Sequence, residues 1–177
     1  TVFYPSDAIA TERIVQLAAQ TPGLTYIRTT RAKTPIIYKP KEEFIVNDFK
    51  AIHLSNNDSA VLVGAGITLH EALKAHDQLK KQGVSTAVVD VYCIKPFPDA
   101  KFIDFVKKHG NRVIVVEDHY YEGGIGEMIS HVLANTGIAF KHLAVKNVPR
   151  AGTKDELLDD AKINAKAIIS ATHEIVK

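Results

Sequence analysis

From Ser59 onward the chain alternates apolar runs of strand length with amphipathic runs of helix length. No other feature constrains the fold as strongly. AVLVGAG (60–66) reads as a strand and tight turn, and ITLHEALKAHDQLKKQ (67–82) as an amphipathic helix stopped by Gly83. TAVVDVYCI (86–94) reads as one buried strand, ended by Lys95-Pro96. Asp99 is expected to cap a helix that runs to about Lys108, and RVIVVEDH (112–119) is the next strand. Residues 126–134 read as helical, FKHLAV (140–145) as a strand, and 156–176 as one long helical tail. Strands alternating with helices predict an α/β fold: a three-layer αβα arrangement around a mostly parallel, mixed sheet covered on both faces.

The first forty residues do not belong to that series. Val2, Phe3 and Tyr4 form a short strand candidate, and Ser6-Asp7 is a capping signal. Ile9, Ile14, Leu17 and Ala18 then share one helical side until Thr21-Pro22-Gly23 stops the helix; 24–28 reads as a second strand. One strand–helix–strand unit is too little to cover its own faces and edges, so it is expected to be the end of a domain whose remainder lies elsewhere, and to be mobile or prone to association. Residues 39–57 carry Pro40, a charge cluster and near-alternate apolar positions over 44–52, as expected of a linker with one or two edge strands.

Composition narrows the function classes. The 177 residues are 46% apolar and 24% charged with a net charge of +2, so bulk charge implies neither a nucleic-acid nor a membrane partner. No apolar run approaches the ~18 residues of a membrane span. The single cysteine, Cys93, cannot form an internal disulfide, which fits a reducing, cytoplasmic setting. Lys154-Asp155-Glu156-Leu157 resembles a retention signal, but such signals act at a C-terminus and twenty residues follow.

Four groups of residues invite a chemical reading. Gly64-Ala65-Gly66 sits between strand and helix, but Leu69 stands where a dinucleotide fingerprint needs its third glycine, and Asp90 is only roughly placed to hold a ribose. A generic tight turn is the better reading. His70-Glu71 and His76 resemble a zinc-binding helix, yet a spacing of six turns the two rings about 600° apart, so no metal site is expected. In VEDHYYEGGIGEMISH (116–131), Glu117, Asp118 and His119 lie just past a strand end, where α/β proteins place binding residues. Gly123, Gly124 and Gly126 then lead into a helix whose free N–H groups suit an anion. The same run reads equally as a strand-to-helix loop with polar residues buried at an interface. Arg28 and Arg31, in IRTTRAK, follow a strand end where a guanidinium suits phosphate; a surface charge near a domain boundary is the other reading.

The stretches VFYPSDAIATERIVQLAA, YIRTTR, GAGITLHEALKA, IKPF, VEDHYYEGGIGE and HLAVKNVPRAGT, in that order, resemble the C-terminal third of transketolases of the animal-like type. The resemblance implies that 1–38 end a pyrimidine-binding domain, 39–57 form the linker and 58–177 the third domain. It implies a homodimeric cytoplasmic enzyme of the pentose phosphate pathway, which moves a two-carbon ketol unit between sugar phosphates with thiamine diphosphate and Mg²⁺. The metal–diphosphate motif and the proton-handling groups are expected upstream, so no catalytic, cofactor or metal ligand is assigned in this chain. The chain alone is expected to bind no cofactor and to be inactive, its partner being the rest of the polypeptide. Arg31 matches the family position that grips the sugar phosphate, although Thr30 stands where serine is usual. By the same comparison VEDHYYEGGIGE marks the third domain, with a structural and interfacial role. The alternatives are a non-catalytic dimerisation or regulatory module, or the matching part of a 2-oxo-acid dehydrogenase β-subunit or a deoxyxylulose-phosphate synthase.

Overall fold

A computed structural model describes residues 1–177. In chain order the elements are β1 (Val2–Phe3), α1 (Ala8–Gln20), β2 (Tyr26–Ile27), β3 (Lys50–His53), β4 (Ala60–Gly64), α2 (Ile67–Lys81), β5 (Thr86–Asp90), β6 (Cys93–Lys95), α3 (Asp99–Lys108), β7 (Arg112–Tyr120), α4 (Ile125–Leu133), β8 (Ala139–Val145), α5 (Lys154–Asp160) and α6 (Ala165–Val176). Five strands form the main sheet in the order β3-β5-β4-β7-β8. β5, β4, β7 and β8 are mutually parallel; β3 joins the edge antiparallel to β5.

The two-residue period of a strand divides β4 between two cores. Val61 and Val63 face α3 and α4 among Phe102, Val106 and Ile129; Ala60 and Leu62 face α2 and α6 among Leu69, Leu79 and Ile168. Each fully buried aliphatic or aromatic side chain contributes about 1.5–3 kcal/mol, and the central strands are buried on both faces. The three-layer αβα arrangement and its mixed sheet are therefore those expected from the alternation.

Three local expectations are corrected. The run 86–94 is not one strand: β5 ends at Asp90, and β6 leaves to pair antiparallel with β1 in a second sheet of order β2-β1-β6. An unbroken apolar run carries no mark of which sheet each half serves. The tail is two helices, not one: Lys162 turns left-handed at φ 57°, and the Asn164 side chain caps α6 by accepting from Ala167 N. Pro98, not Asp99, is the N-cap of α3; Asp99 lies in the first turn, where its charge opposes the helix dipole's positive end.

The N-terminal unit acquires a core of its own. Phe3, Ala10 and Ile14 pack with Tyr38, Phe44, Tyr92 and Cys93, and the rings of Tyr38 and Tyr92 both meet Phe44 edge-on. One edge of β1 is covered by β6, so the unit is less orphaned than its sequence predicts. β2 keeps an open outer edge, with Leu24 and Tyr26 exposed. Within 39–57, Phe44 and Phe49 are buried, and β3 completes the main sheet.

Candidate functional site

The ladder of β2 ends at Arg28, whose backbone N–H donates to Phe3 O at 2.9 Å. Its guanidinium lies 4.5 Å from the centre of the Tyr4 ring and donates through Nη2 to the Asp118 carbonyl at 3.0 Å and to Asp118 Oδ2 at 2.9 Å. Tyr4 OH donates to the same Oδ2 at 2.9 Å. Burial first, then the Asp118 charge, pushes the Tyr4 hydroxyl well above the usual tyrosine range, so it stays a donor. Arg28 is thus committed to the protein. Arg31, three residues on, is exposed and makes no hydrogen bond or ion pair. Of the two arginines singled out in the sequence, only Arg31 has its donor fork free.

The segment bearing Arg31 is tied down again at Asp7. Asp7 Oδ2 accepts from Ile37 N at 2.6 Å and Tyr38 N at 2.9 Å, while Oδ1 accepts from Ala10 N at 2.7 Å and caps α1. One carboxylate serves a helix start and a loop end.

The acid pair of VEDHYYEGGIGE divides its work. Glu117, 2% exposed, turns toward α4: its oxygens accept from Ile125 N at 2.7 Å and Gly126 N at 2.9 Å, and its Oε1 lies 2.5 Å from His142 Nε2. The helix N–H groups that suited an anion are already satisfied by this carboxylate. A Cβ on Gly126 would stand 2.0 Å from His142 Nε2, so that glycine permits the close approach. Asp118 turns the opposite way, to Arg28 and Tyr4. His119 is exposed and its only hydrogen bond is to the Tyr120 carbonyl. Both acids of the pair thus make contacts within the chain.

The glycine turn before α2 is closed. Gly66 N donates to Ser6 Oγ at 2.8 Å, and a Cβ on Gly66 would fall 2.0 Å from the Tyr4 ring. Asp90 lies fully buried, accepting from Ser6 Oγ at 2.9 Å and Tyr38 OH at 2.6 Å. Burial raises its carboxyl to about 7 against the pull of those two hydrogen bonds. No ribose reaches it. His70 bonds the Ser6 carbonyl, whereas His76 bonds Thr86 and stacks on His53, so the two rings serve different neighbours. Glu71 between them accepts from Ala165 N at 3.0 Å and holds the start of α6, a role its sequence position did not signal.

A cavity of about 820 Å³ opens between residues 145–150, α5 and the start of α2. Two of its cations, Arg150 and Lys162, are already paired with Asp160 and Asp159. No cluster of three or more His, Cys, Asp or Glu side chains is placed to hold a metal ion.

The pairing of Arg28 with Asp118 spans 90 positions, and Tyr4 carried no chemical signal at all. Both came to light only in three dimensions.

Residues 50–168 match the family described as transketolase, C-terminal domain. The chain is 50% identical over 177 residues to transketolase-like protein 1 of Bos taurus, covering 99% of this chain and 30% of that protein. It is 45% identical over 177 residues to transketolase of Homo sapiens, covering 99% of this chain and 28% of that protein. It thus spans less than a third of these relatives' lengths. Among solved structures it resembles one described as split gene transketolase, inactive beta4 tetramer, with a TM-score of 0.89 and 27% identity over 99% of this chain and 56% of the other. The transketolase of Campylobacter jejuni shares the fold at a TM-score of 0.77 and 18% identity, over 98% of this chain and 26% of the other. Sequence and fold agree, and the chain belongs to the transketolase C-terminal domain family.

Proposed function

We propose that this chain is the C-terminal portion of a transketolase, in which a two-carbon ketol unit passes from a ketose phosphate to an aldose phosphate. Identity to proteins named transketolase along nearly the whole chain carries the reading. Thiamine diphosphate and a divalent metal would supply the carbanion chemistry from outside these residues. The complete protein would be a cytoplasmic homodimer. Residues 1–38 would end the pyrimidine domain and 58–177 form the third domain, with 39–57 between them. This chain's direct contribution is Arg31, whose exposed guanidinium presents a planar fork to the substrate phosphate. The solved relative described as an inactive tetramer supports the expectation that this portion has no activity by itself.

The test uses the complete polypeptide. Arg31→Ala is expected to lower kcat/KM for a phosphorylated aldose by about 10–100-fold, the equivalent of one charge-assisted hydrogen bond. An unphosphorylated acceptor should lose far less. Equal use of the phosphorylated acceptor by variant and parent would remove Arg31 from the site. A complete polypeptide with no ketol transfer at all would favour the non-catalytic module.

A further inference from the structure

We propose that Asp118, on β7 of the third domain, is a positioning residue for substrate phosphate, acting through Arg28 and Tyr4 on Arg31. The inference rests on the reading that Arg31 meets the phosphate. It gives the third domain's acidic signature a part in substrate recognition although no residue of that run is assigned to the reaction.

Residues 29–36 make no backbone–backbone hydrogen bond, and the one side-chain bond within them is Thr30 Oγ1 to the Ala32 carbonyl at 3.3 Å. The segment is therefore located by its ends. Asp7 holds the far end at Ile37 and Tyr38. At the near end Arg28 is held by one ladder bond and by the Asp118 carboxylate. Three residues reach at most about 11 Å, so where Arg28 is held bounds where Arg31 can lie.

Charge adds a second effect. Asp118 neutralises Arg28 and the Tyr4 ring covers it, so Arg28 offers no free guanidinium of its own. Only Arg31 remains available. The other oxygen, Asp118 Oδ1, is buried without a hydrogen-bond partner.

A double-mutant cycle in the complete polypeptide tests the idea, with an unphosphorylated ketol donor and an aldose acceptor offered with and without its phosphate. Asp118→Asn keeps the side-chain shape and removes the charge. It should raise KM for the phosphorylated acceptor by roughly tenfold, with a much smaller effect on kcat and on the unphosphorylated acceptor. In an Arg31→Ala background it should add almost nothing, because it acts through Arg31. Thermal unfolding of each variant reports folding separately, and Tyr4→Phe, which removes one anchor of the carboxylate, should repeat the effect more weakly. Equal loss with both acceptors, or additive losses in the double variant, would overturn the positioning role. If Arg31→Ala raises KM and Asp118→Asn does not, this inference alone falls. If Arg31→Ala itself leaves KM unmoved, the reading of Arg31 falls and this inference with it.

Discussion

Two buried carboxylates, Asp7 and Asp90, hold the N-terminal unit in place, the first at the start of α1 and the second through Ser6 and Tyr38. Asp7 was legible as a cap because it acts within one helical turn. Asp90 was not, because its partners Ser6 and Tyr38 lie 84 and 52 positions away. Its burial has a consequence for stability. The carboxyl titrates near 7 when folded and near its ordinary 3.8 when unfolded, so between these values the folded state holds the proton. Stability contributed by this group therefore falls as pH rises from about 4 to about 7. Asp90→Asn cannot ionise and should flatten that slope in denaturant titrations across the window. A slope unchanged in the variant would mean that other groups set it. Asp58 acts outside the window: burial alone would raise it, but hydrogen bonds from Ser55, His109 and Ser85 outweigh burial and hold it below its ordinary value.

At the scale of elements, helices were legible as periodic runs and their ends less so. The tail shows why. Apolar spacing over 156–176 suits one helix, but the break depends on Lys162 and Asn164 and on Glu71, which reaches from α2 to the first turn of α6. α4 depends on a distant carboxylate in the same way. Glu117 satisfies two N–H groups at its start and faces His142. Glu117→Gln keeps the shape, removes the charge and places an NH₂ group where one acceptor stood. A loss of about 1–3 kcal/mol in unfolding free energy is expected by urea titration. A loss below about 0.5 kcal/mol would show that water or backbone rearrangement replaces the carboxylate.

At the scale of the molecule, β6 and Asp118 join the N-terminal unit to the rest. β1 is the middle strand of its sheet, and Tyr4 N donates to Tyr92 O at 2.8 Å. Native-state hydrogen exchange should therefore show the amides of Phe3 and Tyr4 protected together with those of β4 and β5, whereas residues 29–36 exchange fast. Exchange of Phe3 and Tyr4 as fast as that segment would show that the unit opens independently. Val15, Leu24 and Tyr26 of the unit are exposed, the last on the open strand β2.

Periodicity and turn chemistry, both local, were enough to determine the αβα class and most of the strand and helix order, because each is written within a few residues of itself; the family resemblance came instead from matching whole stretches such as VEDHYYEGGIGE. The tertiary structure alone decided which sheet β6 joins, where the tail breaks, and which of two arginines stays free. Those outcomes depend on desolvation and on partners tens of positions apart. The difference between Arg28 and Arg31 is one carboxylate, Asp118, brought across from another strand.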